Sequence, residues 1–324
     1  MKLIGVDLGG TNIKAALVNE EGQILRLESV KTMVHEGKEE VCRRMADLIN
    51  DLAGDEKVMV GIGSPGSIDR KNGIVKYANN LPVLSGFALT GEITKLTGFK
   101  TFLENDAKAA ALGERWFGSA RNTENFIVIT LGTGVGGGAY TQGHLVVGGQ
   151  GFGGELGHIT VDPHGQMCSC GSRGCLETFA SISGMRKRVL SYRQRYPHSR
   201  IFEMSGIDFD KGESELKKSG NIGAKEIFEA FEEGDRLATL VVRKFNWGLG
   251  IGIGSLVNIF NPEVVILSGG ISQASHFFID EVKQVAAEHT YLSLMGSYDI
   301  IPSELKNKAA ILGAASVSLE RTSS

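Results

Sequence analysis

Twice in this chain an apolar run ends in a glycine turn and then resumes, at Val6-Asp7-Leu8-Gly9-Gly10-Thr11 and at Ile129-Thr130-Leu131-Gly132-Thr133-Gly134. A short run, a turn of that composition and a second run predict a hairpin. Two such units predict two related α/β halves; two tight turns alike by chance would give the same letters. Around the first unit the pattern predicts strands over Lys2–Leu8, Asn12–Val18 and Gln23–Val30. A helix over Glu36–Ala53 follows, because Val41, Met45, Leu48, Ile49 and Leu52 recur at helical spacing. Then come a strand at Val58–Ile62, a helix at Leu89–Leu96, a strand at Thr101–Leu103 and an alanine-rich helix at Ala107–Phe117. Around the second unit the strands are Phe126–Leu131, Gly136–Tyr140 and Val264–Leu267. The helices there are Ser183–Tyr196, Ala224–Glu232, Leu237–Leu256, Ile279–Glu288 and Ala309–Leu319. With 44 glycines clustered behind apolar runs and 6 prolines, glycine here marks turns and not linkers. A length of 324 residues suits two domains better than one core.

Several function classes fall away on composition. A formal net charge of -3, with no basic run longer than Arg186-Lys187-Arg188, gives no footprint for nucleic acid. The opening Met1–Gly10 is too short and too rich in glycine for a signal peptide. The most apolar stretch, Trp247–Phe260, contains glycines and Asn258 and is shorter than the roughly 20 residues of a membrane span. Of 4 cysteines, Cys168, Cys170 and Cys175 crowd together and Cys42 stands alone, unlike a disulfide scaffold. The expectation is a cytoplasmic protein with no membrane partner.

Three constellations carry chemistry. Gly9-Gly10-Thr11, Gly132-Thr133-Gly134 and Gly269-Gly270 each follow an apolar strand. Such turns let backbone N–H groups converge on an anion, and Thr11, Thr133 and Lys14 add donors to phosphate oxygens. Each is equally a plain tight turn. Glu104-Asn105-Asp106 ends a strand and opens a helix. Asn and Asp are good helix caps there, and Asp106 is also placed to take a proton from an attacking hydroxyl. Last, His158, Cys168, Cys170 and Cys175 are one imidazole and three thiols, a full set for a structural zinc ion with no open position. Buried free thiols read from the same letters.

Together these residues resemble the ROK family (repressors, open reading frames and kinases), and within it the glucokinases, along essentially the whole chain. Asp7-Leu8-Gly9-Gly10-Thr11-Asn12-Ile13-Lys14 resembles the phosphate-binding opening, and Glu104-Asn105-Asp106-Ala107 the catalytic segment. Gly154-Glu155-Leu156-Gly157-His158 and Cys168-Ser169-Cys170-Gly171-Ser172-Arg173-Gly174-Cys175-Leu176-Glu177 resemble its long signature.

The resemblance implies an actin-like ATPase fold: two ribonuclease-H-like α/β domains around a cleft. The small domain would be residues 1–117, completed by 306–324, and the large one 118–305 with the zinc-binding loop. It implies transfer of the γ-phosphoryl group of ATP to a hexose, most of all D-glucose, with Mg2+ beside the nucleotide. Asp106 would be the general base. Asn105, Asp106, Glu155, His158 and Glu177 would bind the sugar, with Gly66 and Asn80 nearby. Gly9, Gly10, Thr11, Lys14, Thr133, Gly134, Gly269 and Gly270 would bind ATP. His158, Cys168, Cys170 and Cys175 would hold structural zinc. The expected partners are the sugar, ATP and further copies of the chain, as a dimer or tetramer.

Two other readings compete. One is a kinase for fructose, mannose or an N-acetylated amino sugar, which these motifs do not separate from glucose. The other is a non-catalytic sugar-binding regulator or repressor, against which Asp106 is retained. A repressor would need a DNA-binding segment ahead of the first strand, and that strand begins at Lys2.

Overall fold

A computed structural model describes residues 2–323. In chain order it runs β1 (Lys2–Leu8), β2 (Asn12–Val18), β3 (Ile24–Lys31), α1 (Lys38–Ala53), β4 (Val58–Ser64), β5 (Ser67–Asp69), β6 (Ile74–Tyr77), α2 (Leu89–Thr97), β7 (Thr101–Asn105) and α3 (Asp106–Phe117). It continues through β8 (Phe126–Leu131), β9 (Val135–Thr141), β10 (His144–Leu145), α4 (Leu176–Ala180), α5 (Ile182–Ser191), α6 (Arg200–Met204), α7 (Ala224–Glu232) and α8 (Arg236–Phe260). It closes with β11 (Val264–Ser268), α9 (Ile279–Glu288), β12 (Asp299–Pro302) and α10 (Ala309–Ser323).

The first sheet has the order β3-β2-β1-β4-β7 and the second β10-β9-β8-β11-β12. The same scheme thus occurs twice: a meander of three strands whose first member is followed in the sheet by two later strands. That is the internal repeat the two glycine turns point to. β1 pairs antiparallel with β2 and parallel with β4, which pairs parallel with β7; β11 and β12 are parallel.

The chain divides into two compact units. Unit 1 is Met1–Val128, Gly137–Gly154 and Ser303–Ser324; unit 2 is Ile129–Gly136 and Glu155–Pro302. Residues 118–128 and 137–154 therefore count with unit 1, beside the expected boundary at 117. The reason is local: Gly138 of β9 lies against Ala111 and the Lys108 backbone of α3, where a side chain would not fit.

In unit 1 the alternation of β1 decides which face meets which helices. Ile4, Val6 and Leu8 join Ile13, Ala15, Val60 and Ile62 in one core with Val41, Met45, Ile49 and Leu52 of α1. Leu3, on the other face, joins Ala16, Val18, Phe117, Ile311, Leu312 and Ala315, under α3 and α10. Gly5 and Gly61 sit beneath α10, and a Cβ at either would run into its backbone at Ile311 or Ala314.

In unit 2, α8 is the central helix, capped by Asp235, whose side chain accepts from Ala238 N–H at 2.8 Å. Its glycines let two neighbours approach. Gly248 and Gly252 face Phe179 and Leu176 of α4, while Gly250 and Gly254 face Val285 and His289 beside α9. Phe228, Phe245, Phe277 and Phe278 form an aromatic cluster at its other flank. Among the described residues, no helix is long and apolar enough to cross a membrane.

Candidate active site

Unit 1 contributes the first turn. Gly9 N–H donates to Asn12 O at 3.0 Å and closes it. Thr32 ties off two carbonyls, its Oγ1 donating to Gly9 O at 2.6 Å and its N–H to Thr11 O at 3.0 Å. Gly10 and Thr11 remain exposed, as does Lys14. Asn80 lies on this turn: its carbonyl oxygen is 3.0 Å from where a side chain at Gly10 would begin. Asp7 stands in register across from Lys14. Burial pushes its carboxyl above the usual range, and the Lys14 charge opposes that.

The β7–α3 junction holds Asp106. Asn105, not Asp106, is the helix cap: its Oδ1 accepts from Ala107 N–H and Lys108 N–H, both at 3.1 Å. Asp106 is thereby the first residue of the helix, with Oδ1 fixed by Ala107 N–H at 2.8 Å. Asn105 Nδ2 donates to Gly66 O at 3.1 Å. Gly66 itself has φ 96°, and a Cβ there would strike Tyr77 O. Behind this lies buried Glu104, whose Oε1 accepts from Asn105 N–H at 3.0 Å and whose Oε2 is 3.1 Å from Arg70 Nε. Unit 1 thus brings Gly10, Asn80, Gly66, Asn105 and Asp106 into one neighbourhood.

Unit 2 gathers the rest. Gly132 O and Thr133 O accept from Ile182 N–H at 2.9 Å and Ser183 N–H at 3.3 Å, which moor the second turn to the start of α5. Gly269, at φ 86°, lies against Leu131, so the third turn adjoins the second. Glu177 Oε2 accepts from Val135 N–H at 3.1 Å, and a Cβ on Gly134 would come within 2.5 Å of the same oxygen. Its Oε1 accepts from Ser169 Oγ at 3.2 Å. Gly157 packs on Val135 O, and His158 N–H donates to Glu155 O at 3.0 Å.

The ligand atoms of His158, Cys168, Cys170 and Cys175 all lie within 4.8 Å of one another. Cys168 Sγ is 3.7 Å from His158 Nδ1, and Cys170 Sγ is 3.6 Å from Cys175 Sγ. Tetrahedral zinc with these ligands needs edges of about 3.5–3.8 Å; these two pairs have that spacing, and the remaining pairs lie within about 1 Å of it. Burial pushes the Cys175 thiol up to about 12 and raises Cys168, while the Ser172 backbone lowers exposed Cys170.

Sequence reasoning missed Arg70, Ser169, Lys108 and the role of Glu104. Arg70, in the turn of the β5–β6 hairpin, lies 34 positions before Glu104 with β6 and α2 between, and no local spacing joins them. Ser169 was visible inside the cysteine run but carried no signal of its own.

A model of the ROK family matches residues 3–321. A glucokinase of Thermotoga maritima is 43% identical over 99% of this chain and 98% of its own length. A xylose repressor of Caldicellulosiruptor bescii is 30% identical over 96% of this chain and 76% of its own. Among solved structures, a ROK family glucokinase from Streptomyces griseus in complex with glucose and AMPPNP matches with a TM-score of 0.80 and 31% identity, over 99% of this chain and 100% of that one.

Proposed function

This chain belongs to the ROK family, with the two-domain actin-like ATPase (ribonuclease-H-like) α/β fold, and from that premise we propose that it transfers the γ-phosphoryl group of ATP to glucose. The observation that carries the reading is the β7–α3 junction: Asn105 takes the capping role, and the Asp106 carboxylate stands at the first residue of α3 with its Oδ1 held by Ala107 N–H at 2.8 Å.

In the reaction Asp106 accepts the proton of the sugar 6-hydroxyl while that oxygen bonds to the γ-phosphorus and the bond to ADP breaks. Asn105, Glu155, His158 and Glu177 hold ring hydroxyls, with Gly66 and Asn80 at the edge of the same group. His158 turns Nδ1 to the cysteines, which leaves Nε2 for the sugar. Gly9, Gly10, Thr11, Lys14, Thr133 and Gly134 take the phosphates, and Gly269 and Gly270 the nucleoside side. Half-buried Asp7 would be the carboxylate to hold Mg2+ beside the nucleotide, and the ion would supply charge neutralisation to the phosphates. His158, Cys168, Cys170 and Cys175 would hold Zn2+, which would supply shape to the sugar loop and no open coordination site. The division of labour expected from the sequence, residues 1–117 with 306–324 against 118–305, is part of the same proposal. The enzyme would work in the cytoplasm at the entry of glucose into glycolysis. Ile259, Tyr291, Leu292 and Met295, all exposed where Asn258 bonds Tyr291, are the surface we assign to a dimer or tetramer.

A coupled ADP-release assay with ATP and Mg2+ over a hexose panel tests this. Glucose should give the highest kcat/KM, and Asp106→Asn should lower turnover about 10²–10⁴-fold with sugar binding retained. Preference for fructose, mannose or an N-acetylated amino sugar would replace the substrate. The kinship with a xylose repressor favours a second reading, a sugar-binding regulator, and no ADP release with any hexose would select it.

A further inference from the structure

Lysine is seldom fully buried without a charged partner. Lys108, in the first turn of α3, is 3% exposed. Its backbone faces Gly138 on β9, its Cε lies 3.8 Å from where a side chain on Gly154 would begin, and its ammonium donates to Gly151 O at 3.4 Å. The segment it reaches, residues 146–154, holds five glycines, at 148, 149, 151, 153 and 154. Gly148, Gly151 and Gly154 have φ of 69°, 83° and 81°. Such a segment loses much chain entropy on ordering, and its own backbone ties are sparse. They include Val146 N–H to Ala139 O and Gly153 N–H to Val147 O, each 2.8 Å, and Gly151 N–H to Gly148 O at 3.3 Å. Its apolar side chains are Val146 and Val147, partly buried where it leaves β10, and exposed Phe152, so the glycine stretch 148–154 has little apolar surface to bury.

We propose that Lys108 is a positioning residue: it fastens the glycine loop 146–154 to the first turn of α3, and so sets where Glu155, the next residue in the chain, is presented. The inference rests on the reading of Glu155 as a sugar ligand. A charged donor suits this task because a hydrogen bond from an ammonium is stronger than a neutral one. The long stem also spans the gap to the loop while itself filling space above β9.

The test compares Lys108→Met, which keeps the stem and removes the charge, with Lys108→Arg, which keeps a charge. Met should raise the KM for glucose about 10- to 100-fold, the loss expected with a hydrogen bond to a charged group, and leave the KM for ATP within about twofold. Arg should recover most of it. Amide hydrogen exchange should quicken in residues 148–154 of the Met variant while α3 stays protected. Unchanged loop exchange, or equal rises in both KM values, would overturn the proposal, as would a loss shared by Met and Arg together with a lowered Tm. If Met fails to fold, Lys108→Gln gives the same readouts. A wild-type enzyme inactive on glucose sinks the reading of function, while loop exchange still decides the role of Lys108.

Discussion

Glu114 on α3 is fully buried in unit 1, where Ser303 Oγ donates to one of its oxygens and Ser119 N–H to the other at 2.9 Å. Burial raises its carboxyl above the ordinary value, and the two donors and the Ser119 hydroxyl oppose that. The sign follows from linkage. A carboxyl whose folded value is raised binds its proton more tightly in the folded state, so its stabilisation is whole below about pH 4.5 and fades as pH climbs through the folded value. Glu114→Gln removes the titration and keeps an acceptor for Ser119, while the Ser303 hydroxyl can turn to accept from the amide. The variant should therefore match wild type near pH 4 and be the more stable near pH 8, by about 1.4 kcal/mol for each tenfold in proton affinity. Urea unfolding at the two pH values measures it, and parallel stabilities would show that the acid is ionised at no net cost. At this scale the sequence was most legible where the pattern is local: the Asn105-Asp106 junction, the three glycine turns and the cluster of His158, Cys168, Cys170 and Cys175 are all short patterns. Glu114, Arg70 and Lys108 were illegible, because each acts through a partner tens to hundreds of positions away.

Elements with a strong period were read closely, and weak ones were not. α7 and α9 match the expected Ala224–Glu232 and Ile279–Glu288, and α1 begins at Lys38 two residues inside the expected start because Val34–Glu36 forms a separate 3₁₀ turn. α8 extends to Phe260 past the expected Leu256, since its glycines serve close packing and do not end it. α5 stops at Ser191, short of Tyr196. β5, β6, β10 and β12 are two to four residues long, too short for alternation to show. In the loop from His158 to Glu177 the sequence showed the ligand types and the structure brings them together; between Ile159 and Arg173 the buried apolar side chain is Cys168, itself one of the four. Removing the metal, or making Cys170→Ser, should therefore raise the KM for glucose and lower Tm together, with the KM for ATP changing less. Metal analysis should find about one zinc per chain. A zinc-free preparation that binds glucose and melts like wild type would leave these residues as buried thiols.

The whole molecule repeats one scheme of strands, yet unit 1 is not contiguous: it takes its last helix from the far end of the chain. α10 covers the face of the first sheet that carries Leu3, Ala16 and Val18. Gly5 and Gly61 on the sheet and Gly113 on α3 are glycine because the α10 backbone passes too close for a Cβ. Those glycines were visible in the sequence, but their shared reason was not, since it lies some two hundred to three hundred positions downstream. Ile311, Leu312 and Val317 of α10 are buried, worth roughly 5–9 kcal/mol together at about 1.5–3 kcal/mol each. That rivals the roughly 5–15 kcal/mol that holds a whole domain folded. A chain ended after Pro302 should accordingly leave unit 1 without a stable core, with rapid proteolysis between Lys2 and Phe117 and no glucose phosphorylation. A peptide of residues 303–324 added in trans should restore protection, because the groove it fills is shaped by the glycines. Gly61→Ala in the intact chain probes the same contact from the other side and should cost about 1–3 kcal/mol or more as overpacking against Ala314. A truncated chain that keeps protease resistance over residues 2–117, or a Gly61→Ala enzyme with the wild-type Tm, would mean that unit 1 stands without its last helix.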